Sequence, residues 1–364
     1  MKRELTPEFE APPGHLLTLP SLGALFAWPL HLFYLFAMVN AERKTDMNKK
    51  AGARWISWLF GLAILVAVAL FAAHRSEEQE FARLVAHAQP AWLLLGFLLQ
   101  MGTYVADARI WQVIIVRAGI SRPLWSYMGL GLAKLFMDQV VPSGGMSGTL
   151  LVVRALDRRG IPRGTSMAAI VVDLVSYYAA YVAALAIALG VVWIHGDLTL
   201  FIILPAAIFA PVAAGIPVVL VLVSRGRRLP QWIQRLPIVG SGLRALAEAT
   251  PGIAHDGSLI ARCMGLQVAV FLLDAGTLWI MLYALRLSVL PAQVFASFML
   301  STLARTLGPV PGGLGVFEAA SVATLKLMGV PIAAGLSATL MFRGFSYWLP
   351  MAPGIILARR ETRM

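Results

Sequence analysis

Long apolar runs recur along the whole chain, and they constrain the fold more than any other feature. Crossing a bilayer as a helix takes about 20 predominantly apolar residues. Six runs meet that length: Trp55 to Ala73, Ala91 to Val116, Thr165 to Ile194, Leu198 to Val223, Met264 to Leu285 and Ile332 to Ala358. Of the 364 residues, 59% are hydrophobic and 13% are charged. A soluble domain carries about one quarter charged residues. The expected fold class is therefore an all-α polytopic membrane protein, and no stretch is long and polar enough for a separate soluble domain.

A weaker run, Ser21 to Val39, lies upstream. Met47-Asn-Lys-Lys50 reads like a start followed by a positive flank. Residues 1–46 are thus either a native weak span or an extension upstream of a start at Met47. The single cysteine, Cys263, excludes a disulfide within the chain.

Two further apolar stretches, 123–156 and 291–329, are interrupted near their middles. The first break is Pro142-Ser-Gly144-Gly145 and the second is Pro309-Val-Pro311-Gly312-Gly313-Leu-Gly315. Proline removes a backbone donor and glycine frees the backbone, so both end helices. Lipid does not tolerate such backbone, which must be packed in protein or line a wet cavity. Each stretch is expected to form a broken hairpin, either re-entrant or a pair of full spans.

The net charge is +12. In a soluble chain that would suggest nucleic acid. Here the basic residues fall in short loops between apolar runs, where they signal orientation. Arg117, Arg122, Arg154, Arg158, Arg159, Arg163, the arginines from Arg225 to Arg262, and Arg359, Arg360 and Arg363 are expected to share the cytoplasmic side. Arg75, Arg83, Arg286 and Lys326 then lie opposite. This holds only if each broken stretch enters and leaves on one side. The C-terminus is placed in the cytoplasm. The tract 225 to 255 is expected to lie along the inner surface, favouring anionic lipid.

The two breaks also match in sequence. At a shift of 169 residues, the spacing from Val141-Pro142 to Val310-Pro311, Gly144 meets Gly313, Gly160 meets Gly329, Pro162 meets Pro331, and Arg117 meets Arg286. This points to an inverted repeat: one copy at about 91–194, a linker at 198–262, and a second copy at about 263–358. In such repeats, helix starts aimed at the midplane favour an anion. Ionisable residues at membrane depth are candidates for function because they are costly to keep there. The expected binding set is Pro142, Gly144, Gly145, Asp173 and Tyr177 in the first copy. In the second it is Arg305, Pro311, Gly312, Gly313, Gly315, Glu318, Arg343 and Tyr347. Arg305 and Arg343 are the preferred contacts, because guanidinium binds phosphate oxygens in a fork. The bland alternative pairs them with Asp173, Asp274 or Glu318. Lys134 and Asp138, four residues apart, suit each other as an ion pair.

No Walker A pattern, metal-binding helix motif or convergent acid–base set is present. Catalysis, cofactors and metals are therefore not expected.

Pro311-Gly-Gly-Leu-Gly-Val-Phe-Glu318, followed by Arg343 and Tyr347-Trp-Leu-Pro350, resembles the lysylphosphatidylglycerol synthase transmembrane family, also called flippase-like or UPF0104. Pro142-Ser-Gly-Gly145, the region of Arg154, and Gly160-Ile-Pro162 fit the same pattern. Members often carry a glutamate and an arginine in the span after the first break; here Val172 and Asp173 stand there, so no role carries over to Asp173. The resemblance implies a protein of a bacterial-type inner membrane that moves or handles lipids, with an anionic membrane lipid as ligand. It also implies a separately encoded lipid-synthesis enzyme as partner. A non-transporting scaffold of such a synthesis complex and an ion-coupled carrier of small anions are the alternative readings.

Overall fold

The computed structural model describes residues 89–140, 146–195, 200–224, 249–307 and 311–363. The runs Ser21 to Val39 and Trp55 to Ala73, the first break with Pro142, Gly144 and Gly145, and the tract 225–248 lie outside the described residues. Among the described residues every element is helical and no strand occurs.

The elements in chain order are α1 (Pro90–Arg117), α2 (Leu124–Val140), α3 (Met146–Arg158), α4 (Arg163–Ile194), α5 (Leu200–Ser224), α6 (Pro251–Ala254) and α7 (Gly257–Ala284). They continue with α8 (Pro291–Leu307), a short 3-10 turn (Pro311–Gly313), α9 (Val316–Leu327) and α10 (Ile332–Arg343). A π-helical turn (Gly344–Trp348) joins α10 to α11 (Leu349–Arg363). Four helices are long and apolar enough to cross a membrane: α1, α4, α7 and the stretch Ile202–Leu222 of α5. Leu94, Leu98, Ile187, Leu204, Ile208 and Leu272 point outward from these helices, as suits surfaces solvated by lipid.

α7 starts earlier than its apolar run suggests. Asp256 caps it, with Oδ1 accepting from the N–H groups of Ser258 (3.0 Å) and Leu259 (3.1 Å). Such a cap satisfies donors that a helix start leaves open. Residues 257–262, Arg262 included, therefore belong to the helix.

Both interrupted stretches are hairpins whose ends return to the same side. Near the first tip, Ser147 Oγ donates to the Met137 carbonyl (2.9 Å). At its open end Arg122 Nη2 donates to the Arg159 carbonyl (3.3 Å). In the second hairpin Ser297, early in α8, shares a 2.7 Å hydroxyl–hydroxyl bond with Thr324, late in α9.

The element lengths repeat. α1 and α7 each have 28 residues. α2 and α8 each have 17. α3 has 13 and α9 has 12. The continuous run from Ile332 to Arg363 equals α4 in length. The helix ends repeat as well. Gly160 (φ 76°) and Gly329 (φ 86°) close α3 and α9 with the same pair of reverse bonds. Pro162 and Pro331 then open the next helices at nearly identical dihedrals.

The match of Arg117 with Arg286 does not hold. Gly119 (φ 83°) and Arg286 (φ 64°) occupy the same left-handed position after α1 and α7. Before the breaks the helix starts Pro90 and Gly257 differ by 167. After the breaks the helix starts Arg163 and Ile332 differ by 169. The two differences are two residues apart.

The units are interlocked. α1 packs along α7, α2 packs against α11, and α8 packs against α4. α1 and α7 run antiparallel. Arg117, ending α1, meets Asp256 before α7 at 2.7 Å. The Gln89 N–H, before α1, donates to the carbonyl of Ala284, which ends α7, at 3.3 Å. Gly96 lets these two helices approach closely, since a Cβ there would sit 2.2 Å from Met281 Cε.

Candidate functional site

The second break is built on left-handed glycines. Gly312, Gly313 and Gly315 hold φ of 59°, 66° and 80°, a region that side chains disfavour. Gly312 has no room for a side chain, because a Cβ would lie 2.4 Å from Tyr347 Cε2. The Tyr347 ring thus packs directly on the break.

A closed set of bonds pins this turn. The Gly315 N–H donates to Glu318 Oε2 at 2.6 Å. Glu318 Oε1 accepts from Arg343 Nε at 2.7 Å. Arg343 Nη2 donates to the Gly312 carbonyl at 2.9 Å. The guanidinium, only 4% exposed, lies 4.5 Å from the Tyr347 ring centroid and 5.2 Å from that of Phe317. Arg343 therefore clamps the break to the last helical segment. Its polar groups serve Glu318 and Gly312 where the sequence suggested an open ligand contact.

The first hairpin meets the same need in a different way. The Gly148 N–H at the start of α3 donates to Asp138 Oδ1 (2.9 Å). Lys134 Nζ lies 3.4 Å from Asp138 Oδ2, the expected pairing. A carboxylate thus meets the positive end of the second helix in each hairpin, and a cation meets that carboxylate. The helix starts were expected to stand open to a ligand anion; the protein supplies the anion itself.

Arg305 is different. It sits in the last turn of α8 and has no hydrogen bond or ion pair among the described residues. Its stem lies over Gly313, whose hypothetical Cβ would fall 1.9 Å from Arg305 Cγ. Tyr177 and Tyr181 of α4 and Asp274 of α7 lie within its electrostatic reach. Tyr181 OH lies against Thr306 of α8, and the buried Thr302 Oγ1 has no partner among the described residues. Thr302 precedes Arg305 by three residues and shares its helical face. Tyr177 completes an aromatic group, with centroids 5.9 Å from both Tyr181 and Phe271. The structure brings Arg305, Gly313 and Tyr177 together. It places Asp173 elsewhere, 8% exposed, accepting from Gln267 Nε2 at 3.2 Å.

The model of the lysylphosphatidylglycerol synthase TM region matches residues 58–354, a stretch that includes both hairpins and both breaks. The chain belongs to this family. It is also similar to a UPF0104 membrane protein of Methanocaldococcus jannaschii. The two are 22% identical over 329 residues, covering 86% of this chain and 95% of that relative. This family member is a multi-pass membrane protein by its matched region and its four long apolar helices.

Two polar residues in the matched region were not singled out from the sequence. Gln100 and Gln267 each stand eleventh in their 28-residue helices, and Asp107 and Asp274 follow seven residues later in each. A search at a shift of 167 would have found both pairs. The glycine and proline matches favour 169, which hides them.

At one end of the bundle the polar contacts are tight. Arg159 holds Glu361 through two bonds of 2.5 and 3.1 Å. Arg117, Ser258 and the Leu259 N–H hold the Asp256 carboxyl well below the usual carboxylate range.

Proposed function

We propose that this protein binds an anionic lipid headgroup at Arg305 and moves that lipid between leaflets. The observation that carries the reading is the contrast among the deep cations. Lys134 and Arg343 are matched by Asp138 and Glu318, while Arg305 has no counter-ion among the described residues. An unpaired guanidinium at membrane depth is costly unless a ligand completes it. A phosphate would accept its fork of donors. The Thr302 hydroxyl would serve a remaining oxygen.

The interlocked units support movement of the lipid. The antiparallel α1 and α7, and hairpins that return to their own side, favour an inverted repeat. Rocking of one unit against the other would open such a site to each leaflet in turn. The inner-membrane location and cytoplasmic C-terminus belong to this reading, supported by Arg117, Arg159 and Arg262 near the end where α11 stops. So does the absence of catalysis by this chain.

Binding is tested by native mass spectrometry of the chain with phosphatidylglycerol and with phosphatidylcholine. The proposal expects retention of the anionic lipid and loss of about tenfold or more in affinity for Arg305→Gln. Equal retention of both lipids would remove the headgroup assignment.

A further inference from the structure

Gln100 and Gln267 do the same thing in the two units. Gln100 Nε2 donates to Asp274 Oδ1 at 3.1 Å, and Gln267 Nε2 donates to Asp173 Oδ1 at 3.2 Å. Each glutamine reaches a carboxylate that belongs to the other unit. Any sliding of one unit past the other must break or re-form these two bonds.

The partner type matters. Arginine or lysine would fix an aspartate as the ionised form. An amide bonds a carboxylate through its N–H or a carboxylic acid through its oxygen, and the two ends are indistinguishable by shape. Gln100 is 1% exposed, and its Oε1 has no partner among the described residues. A buried amide oxygen without a donor is an acceptor awaiting a hydrogen.

The local charges point the same way. Among the described residues, Asp107, Asp173 and Asp274 form no ion pair; Lys134, paired with Asp138, lies within electrostatic reach of Asp107 and Asp173, and Arg305 lies within reach of Asp274. Charge in a low-dielectric interior that lacks a partner is neutralised rather than kept. The elements packed against α7 present Tyr104 and Asp107 from α1, Asp173, Tyr177, Tyr178 and Tyr181 from α4, Arg305 from α8, and Arg343 from α10. Of these, Tyr104, Asp107 and Arg305 lie within electrostatic reach of Asp274. Tyr104 is already committed, its hydroxyl donating to the Phe345 carbonyl at 2.6 Å. Arg343 is held by Glu318. The oxygens of Asp274, Gln100 and Thr103 are too few for the shell of a hard cation.

We propose that Asp274 is a proton-binding site. Its carboxylate takes one proton from water to become the neutral acid. The Gln100 amide then turns its oxygen to accept that hydrogen. The cross-unit bond persists in both states and reverses its polarity. Gln267 makes a like bond to Asp173, although the residue that matches Asp274 at a shift of 167 is Asp107.

The test reads the acid directly and does not depend on any lipid assignment. The full chain in phosphatidylcholine nanodiscs is titrated by infrared difference spectroscopy, following the carboxylic acid carbonyl stretch. A titrating acid band is expected. Asp274→Asn removes it, Asp274→Glu shifts it, and Gln100→Leu moves it to the frequency of a less hydrogen-bonded acid. If Asp274→Asn does not fold, the shifts in Asp274→Glu and Gln100→Leu decide the matter. An unchanged band in these variants overturns the proposal. Loss of the band on adding sodium at constant pH also overturns it, in favour of a metal cation. Failure of the lipid experiments with the band intact would remove the lipid reading and leave the proton site.

Discussion

Arg343 Nε donates to Glu318 Oε1 across 2.7 Å, and the same carboxylate takes the Gly315 N–H at 2.6 Å. A carboxylate three residues into α9 thereby joins the break to a guanidinium on α10. Breaking a buried pair by removing one partner costs about 3–5 kcal/mol, because the other charge stays buried. Arg343→Ala should therefore lower stability by about that amount. Glu318→Gln combined with Arg343→Ala should cost less than the sum of the two single changes. Unfolding by sodium dodecyl sulfate titration in mild detergent measures all three. A stable Arg343→Ala protein that fails only in lipid binding would return Arg343 to the ligand site.

Gly313 and Gly315 allow backbone strain to be separated from site geometry. Both have left-handed φ, so alanine at either should cost about 1–3 kcal/mol. The space around them differs. A Cβ at Gly315 meets nothing within 4 Å, whereas one at Gly313 falls 1.9 Å from Arg305 Cγ. Gly313→Ala should displace Arg305 and weaken binding of phosphatidylglycerol, while Gly315→Ala should lose similar stability and keep that binding. Native mass spectrometry with thermal unfolding distinguishes the two. Equal loss of binding in both would show that strain alone sets the effect.

Outside the membrane span, Asp256 gives a pH dependence with a definite sign. Its carboxyl is held below the ordinary value of about 3.9 in the folded chain, chiefly by Arg117, then by Ser258 and the Leu259 N–H. The ionised form is thus favoured on folding. Its stabilisation is fully present above the ordinary value and is lost as pH falls toward the lower folded value. Thermal unfolding below pH 4 should lose less stability in Asp256→Asn than in the native chain. Parallel pH curves would contradict this.

Much of the fold was legible because membrane insertion writes itself into composition. Apolar runs gave α1, α4, α5 and α7, and the paired proline–glycine breaks gave the two hairpins. Glu318, one turn past Gly315, was legible as a bond back to the break, since a carboxylate at a helix start has few other local partners. The sequence matches lie at a shift of 169, with one residue of slippage after them. Helix starts differ by 167 before the breaks and by 169 after them, so the like placement of Gln100 and Gln267 stayed hidden. Arg286 concealed its equivalence to Gly119, because a left-handed arginine carries no glycine signal. Whether Arg343 or Arg305 is the paired cation depends on contacts between α10 and the break, and residue spacing along the chain does not encode those.

The central claim is that Arg305 holds the headgroup of an anionic lipid in transit. Transbilayer movement of fluorescently labelled phosphatidylglycerol and phosphatidylcholine in proteoliposomes tests it most directly. The account predicts that the native chain speeds phosphatidylglycerol selectively, and that Arg305→Gln, inserted and monodisperse, falls to the rate of protein-free vesicles. An Arg305→Gln protein as fast as the native chain, or a native chain that leaves phosphatidylglycerol at the protein-free rate, would contradict it.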